Sequence, residues 1–139
     1  AASPGSACRN AILDCLQQAT RTVDICVFTL SDDRISNAIL KTHERGVVVR
    51  VISDNDKAND EGSDIDLLQR NGVPVRIDQT IYHMHHKFAL FDKRVMLNGS
   101  FNWTRSASQQ NEENITVSSD VSLVKAFSHQ FEMMWERYI

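Results

Sequence analysis

The sequence predicts an α/β domain built on a mixed, mostly parallel β-sheet with helices packed on both faces. Two observations predict it. In the first half, short β-branched apolar runs alternate with segments whose apolar residues recur at helical spacing, the order of strand–helix–strand units. In the second half, strands follow one another across tight polar turns before one long amphipathic helix closes the chain. The 139 residues suffice for one core, so residues 1–139 are read as a single domain without linker, repeat or low-complexity segment.

From Ser6 to Thr20, apolar residues fall at Cys8, Ala11, Ile12, Cys15, Leu16 and Ala19, a helical stripe. Val23–Leu30 ("VDICVFTL") is apolar almost throughout, as expected of a strand covered on both faces. Ser31 or Asp32 caps a helix whose stripe is Ile35, Ala38, Ile39 and Thr42, and Gly46 stops it. Val47–Ser53 is the next strand, which implies a parallel pair with a right-handed crossover. A polar loop leads to a short helix over residues 62–71, with Gly72 as its stop, and to a strand over Val73–Ile77. Lys87–Phe91 and Val95–Asn98 read as strands joined at Asp92–Arg94, and Glu113–Ser119 as another. From Asp120, Val124, Phe127, Phe131, Met134, Trp135 and Tyr138 mark the closing helix, and its aromatic residues belong to the core.

The net charge of −3 argues against wholesale coating of nucleic acid but permits a local basic groove, since binding follows the distribution of charge. Three cysteines are an odd count without framework spacing. Cys8 and Cys15 sit about 10 Å apart along one helix, too far for a bridge, and all three are read as reduced core residues. The loop Asp54–Asp64 ("DNDKANDEGSD") resembles a calcium loop until its register is counted: Asn59 stands where glycine is needed and Ile65 where glutamate is needed. It is a solvated acidic loop.

The stretch "HMHHKFALFDKRVMLNGSFNWT", beginning at His83, carries the chemistry. Strand alternation puts His85, Lys87 and Ala89 on one face, and His86, Phe88, Leu90 and Asp92 on the other. Beyond the turn, Gly99 frees the backbone, and Ser100 and Asn102 share one side. A neutral imidazole, a fixed cation, a hydroxyl and an amide, with no carboxylate pair beside them, make a site for an anion. Phosphate is the obvious candidate.

His85-x-Lys87, then Asp92, then Gly99-Ser100-x-Asn102 is the HKD pattern, and this chain resembles the phospholipase D superfamily. "VDICVFTLSD" and "GVVVRVISD" upstream and "NEENI" downstream extend the resemblance over nearly the whole domain. It is similar to the small single-motif members, the bacterial Nuc-type endonucleases and the Zucchini–mitochondrial cardiolipin hydrolase branch, whose "MHHKF" it shares. The resemblance implies the phospholipase D/nuclease fold, with half of a two-motif active site per chain. It implies His85 as the nucleophile, forming a phosphohistidine, with Lys87 and Asn102 holding the non-bridging oxygens. Ser100 would support them by a hydrogen bond, and Glu113 would orient His85. Asp92 and Gly99 are structural members of the motif.

Phosphohistidine chemistry needs one neutral histidine to attack and one protonated histidine to release the leaving oxygen. The chain has the motif once, so the reading is a homodimer with a composite active site on its two-fold axis, retaining bound phosphate or sulfate. No metal or other cofactor is expected. His83 and His85 could ligate zinc, but no cysteine or carboxylate follows at zinc spacing, and a purification tag would lie at a terminus. A binding-only module is disfavoured because the motif's histidine, lysine and asparagine are all present.

Nuclease and lipid hydrolase share this motif, because the chemistry sees only a phosphodiester. Lys57, Arg70, Arg76, Lys93, Arg94 and Arg105 could line a groove tracking a nucleic-acid backbone. Arg94 and Arg105 flank the motif, Trp103 could stack on a base, and these three are the candidate substrate-binding residues. A phospholipid substrate would call for an apolar rim, for which Ile81, Tyr82, Met84 and Trp103 are the candidates. The sequence favours an endonuclease on single-stranded or non-specific nucleic acid, with phospholipid head-group cleavage as the alternative. Sequons at Asn98, Asn102 and Asn114 overlap the motif and disfavour a eukaryotic secretory route. A bacterial cytoplasmic or periplasmic protein, with a signal or anchor removed ahead of "AASPGSA", is the expectation.

Overall fold

The computed structural model describes residues 7–28, 30–54, 64–78, 87–99, 103 and 114–138. In chain order these form α1 (Ala7–Gln18), β1 (Thr22–Cys26), α2 (Asp33–Glu44), β2 (Val48–Asp54), α3 (Ile65–Arg70), β3 (Val75–Asp78), β4 (Phe88–Phe91), β5 (Val95–Gly99), β6 (Ile115–Ser118) and α4 (Val121–Arg137). The strands make one sheet in the order β3-β2-β1-β4-β5-β6. The expected mixed sheet is present, but parallel pairing does not dominate it. Among the described strands β1/β2 and β2/β3 are parallel, while β1/β4, β4/β5 and β5/β6 are antiparallel. The reason is connection length: helices link the first three strands, whereas β4 and β5 are joined by a turn too short for a crossover.

Period-two alternation divides the core between the two faces. Val23, Ile25, Val49, Val51, Ala89, Phe91 and Leu97 pack with residues of α1, α2 and α3. Cys26, Ile52, Phe88, Leu90 and Met96 pack against Val124, Phe131 and Met134 of α4. The anticipated strand Val23–Leu30 ends at Cys26. Val27 still donates to the Ile52 carbonyl, and Leu30 makes an isolated bridge to Trp103. Cys8 and Cys26 are buried as expected, but Cys15 is only half-buried, and all three are free thiols.

Local chemistry sets the helix ends. Asp32 caps α2, its carboxylate accepting from the backbone N–H groups of Arg34 and Ile35. Gly46, at φ +92°, supplies the left-handed residue that stops α2. Arg45 then reaches back to α1 and donates to the Leu16 and Ala19 carbonyls at 3.1 and 2.9 Å, satisfying acceptors at that helix's open end.

An ion cluster fastens α4 to the sheet. Arg50 of β2 donates through Nε to Asp24 of β1 at 2.9 Å and grips both Glu132 oxygens with its two Nη groups. Its guanidinium also lies over the Phe131 and Trp135 rings, and Arg76 of β3 stacks on Trp135 and donates to its carbonyl. The two carboxyls respond in opposite directions. Burial pushes Asp24, 1% exposed, above its ordinary value, and the bond from Arg50 offsets this only in part. Glu132 sits at the rim, so the hydrogen bond from Arg50 dominates and holds it below its ordinary value.

Arg50→Met keeps much of the stacking area but takes from buried Asp24 the cation bonded to it. Breaking a buried pair from one side is expected to cost about 3–5 kcal/mol, against less than about 1 kcal/mol for Arg70→Met in the exposed Arg70–Asp66 pair. Urea unfolding of the two variants at neutral pH measures the contrast, and equal losses would contradict the role given to Arg50.

Candidate active site

Phe88, the first residue of β4, pairs with Cys26 at the end of β1 and with Asn98 near the end of β5. Lys87 and Gly99 are therefore the next residues along their strands, and Gly99 in turn pairs with Ile115. Three chain segments converge on this end of the sheet, beside the carboxyl end of β1. There the strand order turns from β2 on one side of β1 to β4 on the other. Open α/β sheets bind ligands at the carboxyl ends of strands, at such a switch point.

Lys87 is half-buried at this edge. Gly99 is required by contact. A Cβ there would run into the Asn114 carbonyl oxygen and lie 2.7 Å from Ile115 Cα, so only glycine allows β6 to close on β5. Asn114, whose neighbour in sequence is Glu113, thus comes down on the backbone of Gly99. His83, His85, His86, Ser100, Asn102, Glu113 and Arg105 lie outside the described residues, as do Lys57, Ile81, Tyr82 and Met84.

Asp92 stands at the opposite end of β4, within the turn to β5. Asp92 and Lys93 have φ of +56° and +53°, and Arg94 N–H donates to the Phe91 carbonyl, the marks of a type I′ turn. The Asp92 carboxylate accepts from three successive backbone N–H groups, those of Thr20 at 3.1 Å, Arg21 at 2.7 Å and Thr22 at 3.0 Å. It ties the α1–β1 loop to the β4–β5 turn. Partial burial alone would raise this carboxyl, but the N–H groups of Arg21, Thr22 and Thr20 outweigh it and hold it below the ordinary value.

Two expected substrate contacts are corrected. Arg94 flanks the motif in sequence, but β4 carries it roughly 15 Å from Lys87, at about 3.3 Å per residue, to the far end of the sheet. Trp103 is fully buried in the core beside Leu30, and its carbonyl accepts from Ser31 and Asp32 N–H, so it has no face for a base or a lipid. Two other groove candidates are also committed elsewhere: Arg70 pairs with Asp66 on the surface of α3, and Arg76 holds Trp135. The Asp24–Arg50–Glu132 cluster went unread in the sequence. Its one signal was a carboxylate inside the otherwise apolar run "VDICV".

Among the described residues no cluster of metal-ligating side chains occurs, and no helix is long and apolar enough to cross a membrane.

Residues 12–135 match the protein family described as cardiolipin synthase, PLD-like domain. The chain is 55% identical over 126 residues to a mitochondrial cardiolipin hydrolase of Chlamydomonas reinhardtii, covering 91% of this chain and 56% of that one. It is 41% identical over 134 residues to that of Homo sapiens, covering 96% of this chain and 53% of that one. It spans little more than half the length of these curated relatives. Its fold is that of Nuc from Salmonella typhimurium, a phospholipase D family member, at a TM-score of 0.90 and 23% identity over 97% of this chain and 91% of that one. NucT from Helicobacter pylori follows at a TM-score of 0.84 and 23% identity, over 93% and 87% of the two chains.

The three backbone bonds to Asp92 have a pH signature. Because this carboxyl titrates below the ordinary value of 3.8 in the folded chain, its contribution is complete above that value and is lost as the pH falls through the lowered one. Asp92→Asn should remove this dependence. Urea unfolding between about pH 5 and pH 3 should show the wild type losing more stability than the variant, and parallel curves would count against it.

Proposed function

The chain belongs to the cardiolipin synthase, PLD-like domain family, and from that premise we propose that it is a phosphodiester hydrolase whose nucleophile is His85. The imidazole attacks phosphorus, the bond from phosphorus to the leaving oxygen breaks, and a second, protonated histidine gives that oxygen its proton. Water then attacks the phosphohistidine, the now neutral second histidine takes the water's proton, and His85 is restored with release of a phosphomonoester. Lys87 and Asn102 stabilise the negative charge that builds on the non-bridging oxygens, Ser100 supports them, and Glu113 orients His85. The position of Lys87 beside the carboxyl end of β1 supports its role in this scheme. With one motif per chain, the second histidine comes from a second copy, so the working unit is a homodimer with a composite site that also retains phosphate or sulfate.

The substrate we propose is a phospholipid of the cardiolipin class, which reverses the preference the sequence suggested. The observation that carries this is the name shared by relatives 55% and 41% identical to the chain, both mitochondrial cardiolipin hydrolases. The nuclease reading rested on Arg94, Arg105 and Trp103, and it has lost two of the three: Arg94 lies at the wrong end of β4 and Trp103 is in the core. The solved Nuc structures share the fold at an identity too low to speak for the substrate. On the name of the same relatives we propose a mitochondrial compartment in place of the bacterial one.

Cardiolipin vesicles, single-stranded DNA, RNA and duplex DNA, assayed side by side at two salt concentrations, test the proposal. The expected products are phosphatidic acid and phosphatidylglycerol, with a bell-shaped pH–rate profile and activity undiminished by EDTA. His85→Asn should lower turnover by at least about a thousandfold while the dimer stays folded. Cleavage of nucleic acid alone, falling steeply with salt, would restore the nuclease, and full activity of the variant would move the nucleophile elsewhere.

A further inference from the structure

At the end of the sheet remote from Lys87, the β4–β5 turn meets the start of α4. A groove of about 310 Å³ runs between them, lined by Lys93, Arg94, Ser119, Val121, Val124 and Lys125. Three of these are cations and none is a carboxylate. The carboxylates next to the groove in sequence are occupied: Asp92 by the backbone of Thr20–Thr22, and Asp120 by the N–H of Leu123 as the cap of α4. Arg21, exposed in the loop that Asp92 holds, adds a fourth cation to the same pole. Among them Val121 is 67% exposed, and Val48, paired with Thr22 at this end of the sheet, is 59% exposed.

We propose that this pole docks on an anionic lipid surface. The inference concerns the opposite end of the molecule from the catalytic residues and goes beyond the substrate reading. Charge complementarity fixes the sign of the partner. A chain with a net charge of −3 has no general attraction for anions, so any binding must come from a local cluster. The apolar component decides between anionic partners. Single-stranded nucleic acid is held by cations interleaved with aromatic platforms on which bases stack, and this groove presents valine where a ring would be needed. Cations beside exposed aliphatic side chains suit the head-group region, where ammonium and guanidinium groups meet phosphates and valine enters the acyl boundary. A chain docked this way points Lys87 away from the surface that holds it, so the lipid that anchors the chain is not the lipid it cleaves.

The test is co-sedimentation of the full chain with phosphatidylcholine vesicles, with and without phosphatidylserine, at low salt. Arg94→Gln/Lys125→Gln is the informative variant. Lys93 is kept because its charge also acts on Asp24 and Glu132. Wild type should bind only the vesicles that contain phosphatidylserine, and the double variant should bind about thirtyfold more weakly, about fivefold per cation removed. Val121→Asn should weaken binding further with its charge unchanged, and Lys41→Gln on α2 should match wild type. Thermal midpoints equal to that of wild type establish that the variants are folded. Wild-type binding by the double variant overturns the proposal. So does an equal loss in Lys41→Gln, or a loss confined to a single-stranded oligonucleotide.

Discussion

The register of β4 against β1 governs everything at the working end of this molecule, and one carboxylate at the other end sets it. By gathering the N–H groups of Thr20, Arg21 and Thr22, Asp92 joins residues some seventy positions apart and lines Phe91 up with Val23. Phe88 then falls beside Cys26, and Lys87 emerges where β1 gives out. A slip of one residue would turn Lys87 and Ala89 to the other face of the sheet and drive Phe88 and Leu90 away from α4. An acid at the far end of β4 is therefore a condition for the placement of Lys87.

The second constraint is the way α4 is held. Among the described residues, three helices cover one face of the sheet and one helix crosses the other. Apolar contact alone would leave that helix free to slide, since Phe127, Phe131 and Met134 offer similar surfaces along its length. Arg50 removes the freedom: it is bonded to Asp24 in the sheet and Glu132 on the helix, and its guanidinium lies over the Phe131 and Trp135 rings. Phe88 packs against Phe127 and Phe131 on the same helix, so the residue next to Lys87 is braced by α4 as well as by β1.

What could be read in the sequence was whatever depends on neighbours along the chain. The Asp32 cap, the Gly46 and Gly72 stops, the turn at Asp92–Arg94 and the closing helix are local signals, and each element appears where its signal stands. The end of β1 was misjudged because Val27 and Leu30 are as apolar as a strand requires; they are buried by Ile52 and Trp103 through single bonds rather than a ladder. The balance of parallel and antiparallel pairs was misjudged because partners distant in sequence leave no local trace. Arg94 shows the same blindness. Proximity to a motif in sequence is a poor guide to proximity in space when a strand intervenes. Trp103 offered a choice between core and ligand that composition could not make, and the pairing of Leu30 with the motif's distal arm made it.

Sequence identity and backbone similarity bear on different layers of the molecule. A TM-score of 0.90 at 23% identity says that backbone and register can persist while most side chains change, because the register rests on a handful of backbone-directed contacts such as those of Asp92. Phosphorus attacked by an imidazole needs the same few groups whether its substituents are nucleosides or acylglycerols, so neither the fold nor the motif separates those substrates. Separation must come from the residues that bound the site. There, 55% identity to a mitochondrial cardiolipin hydrolase extends beyond the residues that the fold and the motif demand, whereas superposition on Nuc at 23% identity speaks for the fold alone. The basic end of the β4–β5 hairpin lies apart from the residues that bound the site. A strand separates it from Lys87, and a surface so placed can be shaped by where the protein must sit.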